Sequence, residues 1–146
     1  MTKKTQILLL LVLVFGITQC TPVVFSPLEN REGNQIKPDP NQSVILVYRN
    51  LNEGAGVPVV LFLDGKKIGD IPIKTYYRFE VAPGRHIIRS ESDDNSILEV
   101  IAEKGKIYFV RQKVTMGFTR DHVELDLVSE ERGAVEIGEC KLKTLP

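Results

Sequence analysis

His86 is the side chain best placed by the sequence to act as acid, base or metal ligand, because it follows the turn signal Pro83-Gly84 and titrates near neutral pH. For a hydrolase-type enzyme it would need a carboxylate beside it, and clustering with Asp64, Asp70 or Asp121 in one cleft would create that arrangement. The structural alternative is a side chain to backbone hydrogen bond that fixes the turn, or packing beside Ile88 on the same strand face. His122 stands next to Arg120 and Asp121 on the polar phase of its segment, where a solvated pair with Asp121 is expected. A metal centre needs three or four His, Cys or carboxylate ligands, and two histidines more than 30 positions apart do not supply them. The acidic run Glu91-Ser92-Asp93-Asp94-Asn95-Ser96 lacks the alternating ligands, central glycine and terminal glutamate of a calcium loop, so it reads as a polar hairpin loop. There is no Gly-x-Ser-x-Gly elbow, phosphate-cradling glycine loop or dinucleotide fingerprint. Nineteen acidic residues offer many carboxylate pairs for glycoside hydrolysis, but nothing in the order of the residues singles out two. No cofactor is called for.

The other reactive side chains are Cys20 and Cys140. Cys20 closes a segment in which the basic Met1-Thr2-Lys3-Lys4 precedes an apolar stretch from Ile7 to Ile17 interrupted only by Gly16, the layout of an export signal. Eleven helical residues cover roughly 16 Å, against a hydrocarbon core of about 30 Å, so a permanent span is the poorer reading. Lys3 and Lys4 fix its orientation by staying on the cytoplasmic side. The closing Ile17-Thr18-Gln19-Cys20 resembles the lipobox, which implies diacylglyceryl transfer to the Cys20 thiol and cleavage after residue 19. A thiol is required because only a thiolate is nucleophilic enough near neutral pH to form the thioether. Gln19 departs from the small residue expected there. With Thr21 rather than Asp after the cysteine, outer-membrane residence is favoured over inner-membrane residence. Acyl chains contribute about 0.8 kcal/mol per buried methylene, so membrane is the first expected partner. Lipidation leaves Cys140 without a disulfide partner in its own chain, and the expectation for it is a buried small hydrophobe, with an intermolecular disulfide as the alternative.

Removal of residues 1–19 leaves 127 residues, one domain in size. It also lowers Lys+Arg from 19 to 17 against 19 Asp+Glu, a net charge near −2. Without a cluster of basic residues interleaved with aromatics, that balance argues against nucleic acid as a partner. Residues 20–42 hold Pro22, Pro27, Pro38 and Pro40 among polar residues with no period, and read as a tether beginning at the lipidated cysteine. As a coil it spans roughly 25 Å, and at full extension about 70 Å.

The domain, residues 43–146, must position everything else. Short β-branched and aromatic runs recur about every ten residues, which predicts an all-β fold of eight strands near 44–50, 58–63, 66–72, 75–82, 85–91, 96–103, 106–115 and 119–128. Residues 59–63 are apolar on both phases, so that strand should be central. Asp64-Gly65 suits a type I′ hairpin, Pro83-Gly84 a type II turn, and Gly105 the left-handed position of a longer hairpin loop. Successive hairpins imply mostly antiparallel pairing. Ser129-Glu130-Glu131 is an N-cap signal for a short helix that runs to about Ile137 and stops at Gly138. Alternation sets Tyr77, Phe79 and Val81 against Tyr76, Arg78 and Glu80, so Tyr76 should face outward, where with Phe118 it could contact a partner or a sugar. Met116-Gly117-Phe118 should form a bulge or bend.

The stretch from Leu63 to Ile71, then Tyr76-Tyr77-Arg78-Phe79, Ala82-Pro83-Gly84-Arg85-His86, the run from Gly105 to Arg111, Met116-Gly117-Phe118 and Val128-Ser129-Glu130-Glu131 resemble the lipoprotein family called domain of unknown function 2846. An Asp-Gly hairpin followed by Pro-Gly-x-His is also similar to the PEGA-type surface module. The resemblance implies a lipid-anchored, antiparallel β-sandwich-like domain and brings no catalytic residues with it. The leading expectation is a non-catalytic interaction module that contacts another envelope protein. A lipoprotein holding a small apolar or sugar ligand is second, and a hydrolase is third.

Overall fold

The computed structural model describes residues 38–145; Cys20, the export segment and most of the tether lie outside the described residues. The described chain is mostly β, with nine strands and one short helix: β1 (Ser43–Arg49), β2 (Val60–Leu63), β3 (Lys66–Asp70), β4 (Thr75–Val81), β5 (Gly84–Glu91), β6 (Asn95–Ala102), β7 (Ile107–Thr115), β8 (His122–Val128), α1 (Glu130–Ile137) and β9 (Lys141–Leu142). They form two sheets, one ordered β8-β7-β1-β4-β9 and the other β3-β2-β5-β6. Two ladders are parallel, β1 with β7 and β4 with β9, and the others are antiparallel.

The predicted strands are present with ends shifted by up to three residues, and β2 is internal to its sheet. Where the chain turns is only part of the topology. Asp64 (φ 50°) and Gly65 (φ 80°) both adopt the positive angles of a type I′ turn joining β2 to its ladder partner β3. Pro83-Gly84 and Gly105 are not hairpin turns: β4 passes to β5, and β6 to β7, by crossing from one sheet to the other. Gly84, at φ 139°, is far from the type II value of about 80°. The true hairpins are β2-β3, β5-β6 and β7-β8.

Three buried clusters explain the assembly. Between the sheets, Ile45, Val47, Leu61, Ile88, Val100 and Val110 meet Tyr77 and Phe79, whose rings stack at 5.9 Å. On the outer face of the first sheet, Val44, Leu46, Tyr48, Tyr76 and Phe109 lie beneath Ile137 of α1. A third cluster of Val59, Val114 and Val123 closes one end. Because the helix covers the outer face, every residue of β1 is buried. The same covering corrects the expectation for Tyr76, which is 3% exposed. Alternation assigns it to the opposite face from Tyr77, and that face is also interior.

Helix α1 is seated by Ser129, whose extended backbone and side-chain acceptor for the Arg132 amide form the N-cap. Gly133 is required by contact: a Cβ there would fall less than 3.0 Å from three atoms of Phe109.

Candidate functional site

At the corner between β4 and β5, His86 reaches back to the β2-β3 turn. Its Nδ1 lies 2.7 Å from Asp64 Oδ2, and its Nε2 lies 2.8 Å from the Ala82 carbonyl. The Ala82 carbonyl can only accept, so Nε2 donates to it, and toward an ionised Asp64 Nδ1 donates as well, the arrangement of an imidazolium. Burial works against the charged ring, yet the bonds to Asp64 and Ala82 outweigh it and raise the His86 pKa above 6.5. Asp64 is the mirror case. Burial raises its pKa, but the bond to His86 and that from the Ile87 amide to Oδ1, 2.8 Å, bring it below 3.8. The carboxylate that sequence analysis required beside His86 is therefore present. The second nitrogen, however, faces a backbone carbonyl where a catalytic dyad would present a nucleophile or a proton in flight. Chemically the pair is a clamp between a corner and a hairpin.

Beside this clamp a cleft of about 340 Å³ opens between β3, β4 and the C-terminal residues. Leu63, Ile68, Phe79 and Leu145 form its apolar lining, and Asp64, Lys66 and Lys67 its polar rim. Both lysines are exposed, and neither is in an ion pair among the described residues.

The opposite pole is set by register. Because β7 runs parallel to β1, the β7-β8 tip lies at the far end of the sheet from Ser43, about 30 Å away along the nine residues of β7. Phe118 at that tip is fully exposed and Met116 is 69% exposed. The bend there depends on Gly117, where a Cβ would run into the Arg120 carbonyl. The β5-β6 tip joins the same pole: Asp94 Oδ2 lies 3.1 Å from His122 Nδ1, and the Asp121 amide donates to Asp93 Oδ2 at 3.5 Å. His122 is thus paired with Asp94, not with Asp121 as expected. The acidic loop holds one hairpin against the other.

Two buried polar constructions had no sequence signal. Arg49, 1% exposed, ends β1 by donating to the carbonyls of Val57 and Ile71, both at 3.3 Å, and of Gly54. It gathers the loop of residues 50–59 onto the far pole, and its pKa falls because burial disfavours the charge. On the outer face, Glu136 of α1 accepts from Tyr48 at 2.6 Å, from Arg132 at 2.8 Å and from Arg111 at 3.4 Å, while Arg111 also donates to Asp126 at 2.9 Å. Burial raises the Tyr48 pKa steeply, and the Glu136 carboxylate at its hydroxyl adds to that. This network pins the helix to the sheet. Cys140 packs against the cluster beneath the helix, and burial pushes its thiol up to about 11, which suppresses the reactive thiolate.

A family described as "Protein of unknown function (DUF2846)" matches residues 39–124, more than half of the chain and everything from before β1 into β8. The chain belongs to this family. Over 131 residues it is 30% identical to an uncharacterized protein of Haemophilus influenzae (strain ATCC 51907 / DSM 11121 / KW20 / Rd), covering 86% of this chain and 77% of the relative. No solved structure matches. The matched region contains Asp64, Lys66, Lys67, His86 and Phe118, and ends before α1.

Proposed function

We propose that this chain is a lipid-anchored, non-catalytic module of the bacterial envelope, held to the membrane through Cys20 and engaging another envelope protein through its far pole. The observation that carries the reading is the β7-β8 tip, where Phe118 is wholly exposed and Met116 largely so, at the end of the sheet opposite Ser43. An exposed aromatic on a constrained hairpin is the kind of anchor that interface cores use. A tether that joins at the Ser43 end leaves this tip facing away from the membrane. The absence of catalysis is supported by the bonding of His86, both of whose nitrogens are engaged, and by the half-buried Cys140 thiol, whose pKa is pushed up to about 11. The test is photo-crosslinking in intact cells with a reactive side chain at residue 116. Crosslinks to a discrete protein should appear, and Phe118→Ala should remove them while shifting folding stability by less than about 0.5 kcal/mol. Crosslinks that survive Phe118→Ala, or that never exceed background, refute this contact. Intact-mass measurement of the N-terminus tests the anchor, and an unmodified Cys20 rejects it.

A second reading, a lipoprotein that holds a small ligand, is favoured by one observation: the 340 Å³ cleft beside Asp64, at the lower end of the range of ligand sites.

A further inference from the structure

The cleft has an asymmetry that narrows what it would hold. Its floor is apolar, formed by Ile68 and Phe79, which are 8% and 5% exposed, with Leu63 and the half-exposed Leu145 at its sides. Its rim carries three charged side chains, but they are not equivalent. The charge of Asp64 is answered by the His86 imidazolium at 2.7 Å and by the Ile87 amide. Lys66 and Lys67 have no such partner among the described residues. The local field at the mouth is therefore positive over an apolar floor.

Position adds to this. Val81, at the end of β4, pairs with Ser43, and β5 starts immediately beyond the corner. The Asp64 amide bonds the Ile87 carbonyl near that start. The β2-β3 turn, and with it the cleft, thus lies at the pole where the chain enters the domain. In the anchored reading that is the pole nearest the membrane.

We propose that this cleft binds an amphiphilic anion: an apolar chain or ring seated on Ile68 and Phe79, ending in a carboxylate or comparable anionic group held by Lys66 and Lys67. This rests on the small-ligand reading given above and adds the ligand's chemical class. A lone apolar molecule would leave both lysines unused, and a sugar would set hydroxyls against a floor of aliphatic and aromatic carbon with no matching donors or acceptors. An anionic amphiphile satisfies both halves of the site.

The chain from residue 20 onward, with Cys20→Ser to avoid the lipid, is titrated with anilinonaphthalene sulfonate, an aromatic anion whose emission rises in apolar surroundings. One saturable site is expected, displaced by decanoate at least about tenfold more effectively than by decyltrimethylammonium. Lys66→Gln combined with Lys67→Gln should weaken probe binding by about tenfold at unchanged Tm. Leu145→Asp, at an exposed terminal position, should weaken it without touching the fold. Absence of a saturable site overturns both the small-ligand reading and the ligand class. A saturable site that ignores head-group charge, or that is unaffected by the lysine substitutions, leaves a cleft for apolar bodies and overturns the anion. Binding unaffected by Leu145→Asp and by the lysine substitutions alike places the probe elsewhere and overturns the site.

Discussion

Gly133→Ala sets two physical effects against each other, and the structure decides the sign. By helix propensity alone the change should stabilise α1 by about 1 kcal/mol, because glycine is the costlier residue in a helix interior. By packing it should destabilise, since the new methyl would fall less than 3.0 Å from Cβ and two ring carbons of Phe109. Phe109 is 1% exposed in the cluster under the helix and cannot swing into solvent. Overpacking of this kind costs about 1–3 kcal/mol, and contacts so close to ring carbons and Cβ of a fixed residue belong at the upper end. A cost of about 3 kcal/mol set against a helix gain of about 1 leaves a net loss of about 2 kcal/mol. For a chain of this size that lowers Tm by roughly 6–10 °C. Urea and thermal unfolding of the Cys20→Ser chain measure it. Phe109→Leu, which removes the ring, should make the alanine substitution less harmful, with a coupling of at least about 1 kcal/mol in the double-mutant cycle. A rise in stability for Gly133→Ala, or strict additivity with Phe109→Leu, would refute the claim that the glycine exists to admit the ring.

The His86–Asp64 clamp makes stability depend on pH in a definite direction. The folded pKa of His86 is raised above 6.5, so its contribution is complete below that value and is lost as pH rises through the raised folded pKa. That of Asp64 is lowered below 3.8, so its contribution is present above that value and is lost as pH falls through the lowered folded pKa. The Tm difference between parent and His86→Ala should therefore peak at pH values between 3.8 and 6.5 and shrink on either side; a difference that grows steadily toward alkaline pH contradicts the clamp. Arg49→Met should cost about 3 kcal/mol by stranding three backbone carbonyls, with faster amide exchange in residues 50–59, and a chemical unfolding midpoint equal to the parent's would remove this role. Cys140, its thiol pushed up to about 11, should alkylate far more slowly with iodoacetamide at pH 8 than it does in guanidinium, and equal rates would show it to be exposed.

Much of the local structure was legible because local forces specify it. β-branched alternation marks the strands, Asp64-Gly65 fixes a I′ turn through its positive φ angles, and Ser129 caps a helix by an interaction three residues long. Each depends on neighbours within a few positions. The candidate sites were legible only as residue types. The types and spacing of His86 and Asp64 mark both as candidates for a ring beside a carboxylate, but the Ala82 carbonyl on the other nitrogen carries no sequence signal because every residue has one. Phe118 is legible as a contact candidate by residue type; its place at the pole opposite Ser43 depends on the β1-β7 pairing.

What the sequence by itself determined is the all-β class, the Asp64-Gly65 turn and the capped helix, while the export segment ending at Cys20 remains its expectation. The tertiary structure alone decided which strands share a sheet. A turn signal such as Pro83-Gly84 or Gly105 reports that the chain reverses, and reversal within a sheet and passage between sheets use the same residues. The parallel pairing of β1 with β7, separated by more than 50 residues, follows from burying two apolar faces at once and not from any local preference. That pairing makes the first sheet two-sided and draws Tyr76 inside. It also sends the Phe118 tip to the far pole and leaves Lys66 and Lys67 at the rim of a cleft at the Ser43 end. Those positions are non-local sums of packing, so they exist only once the whole core has formed.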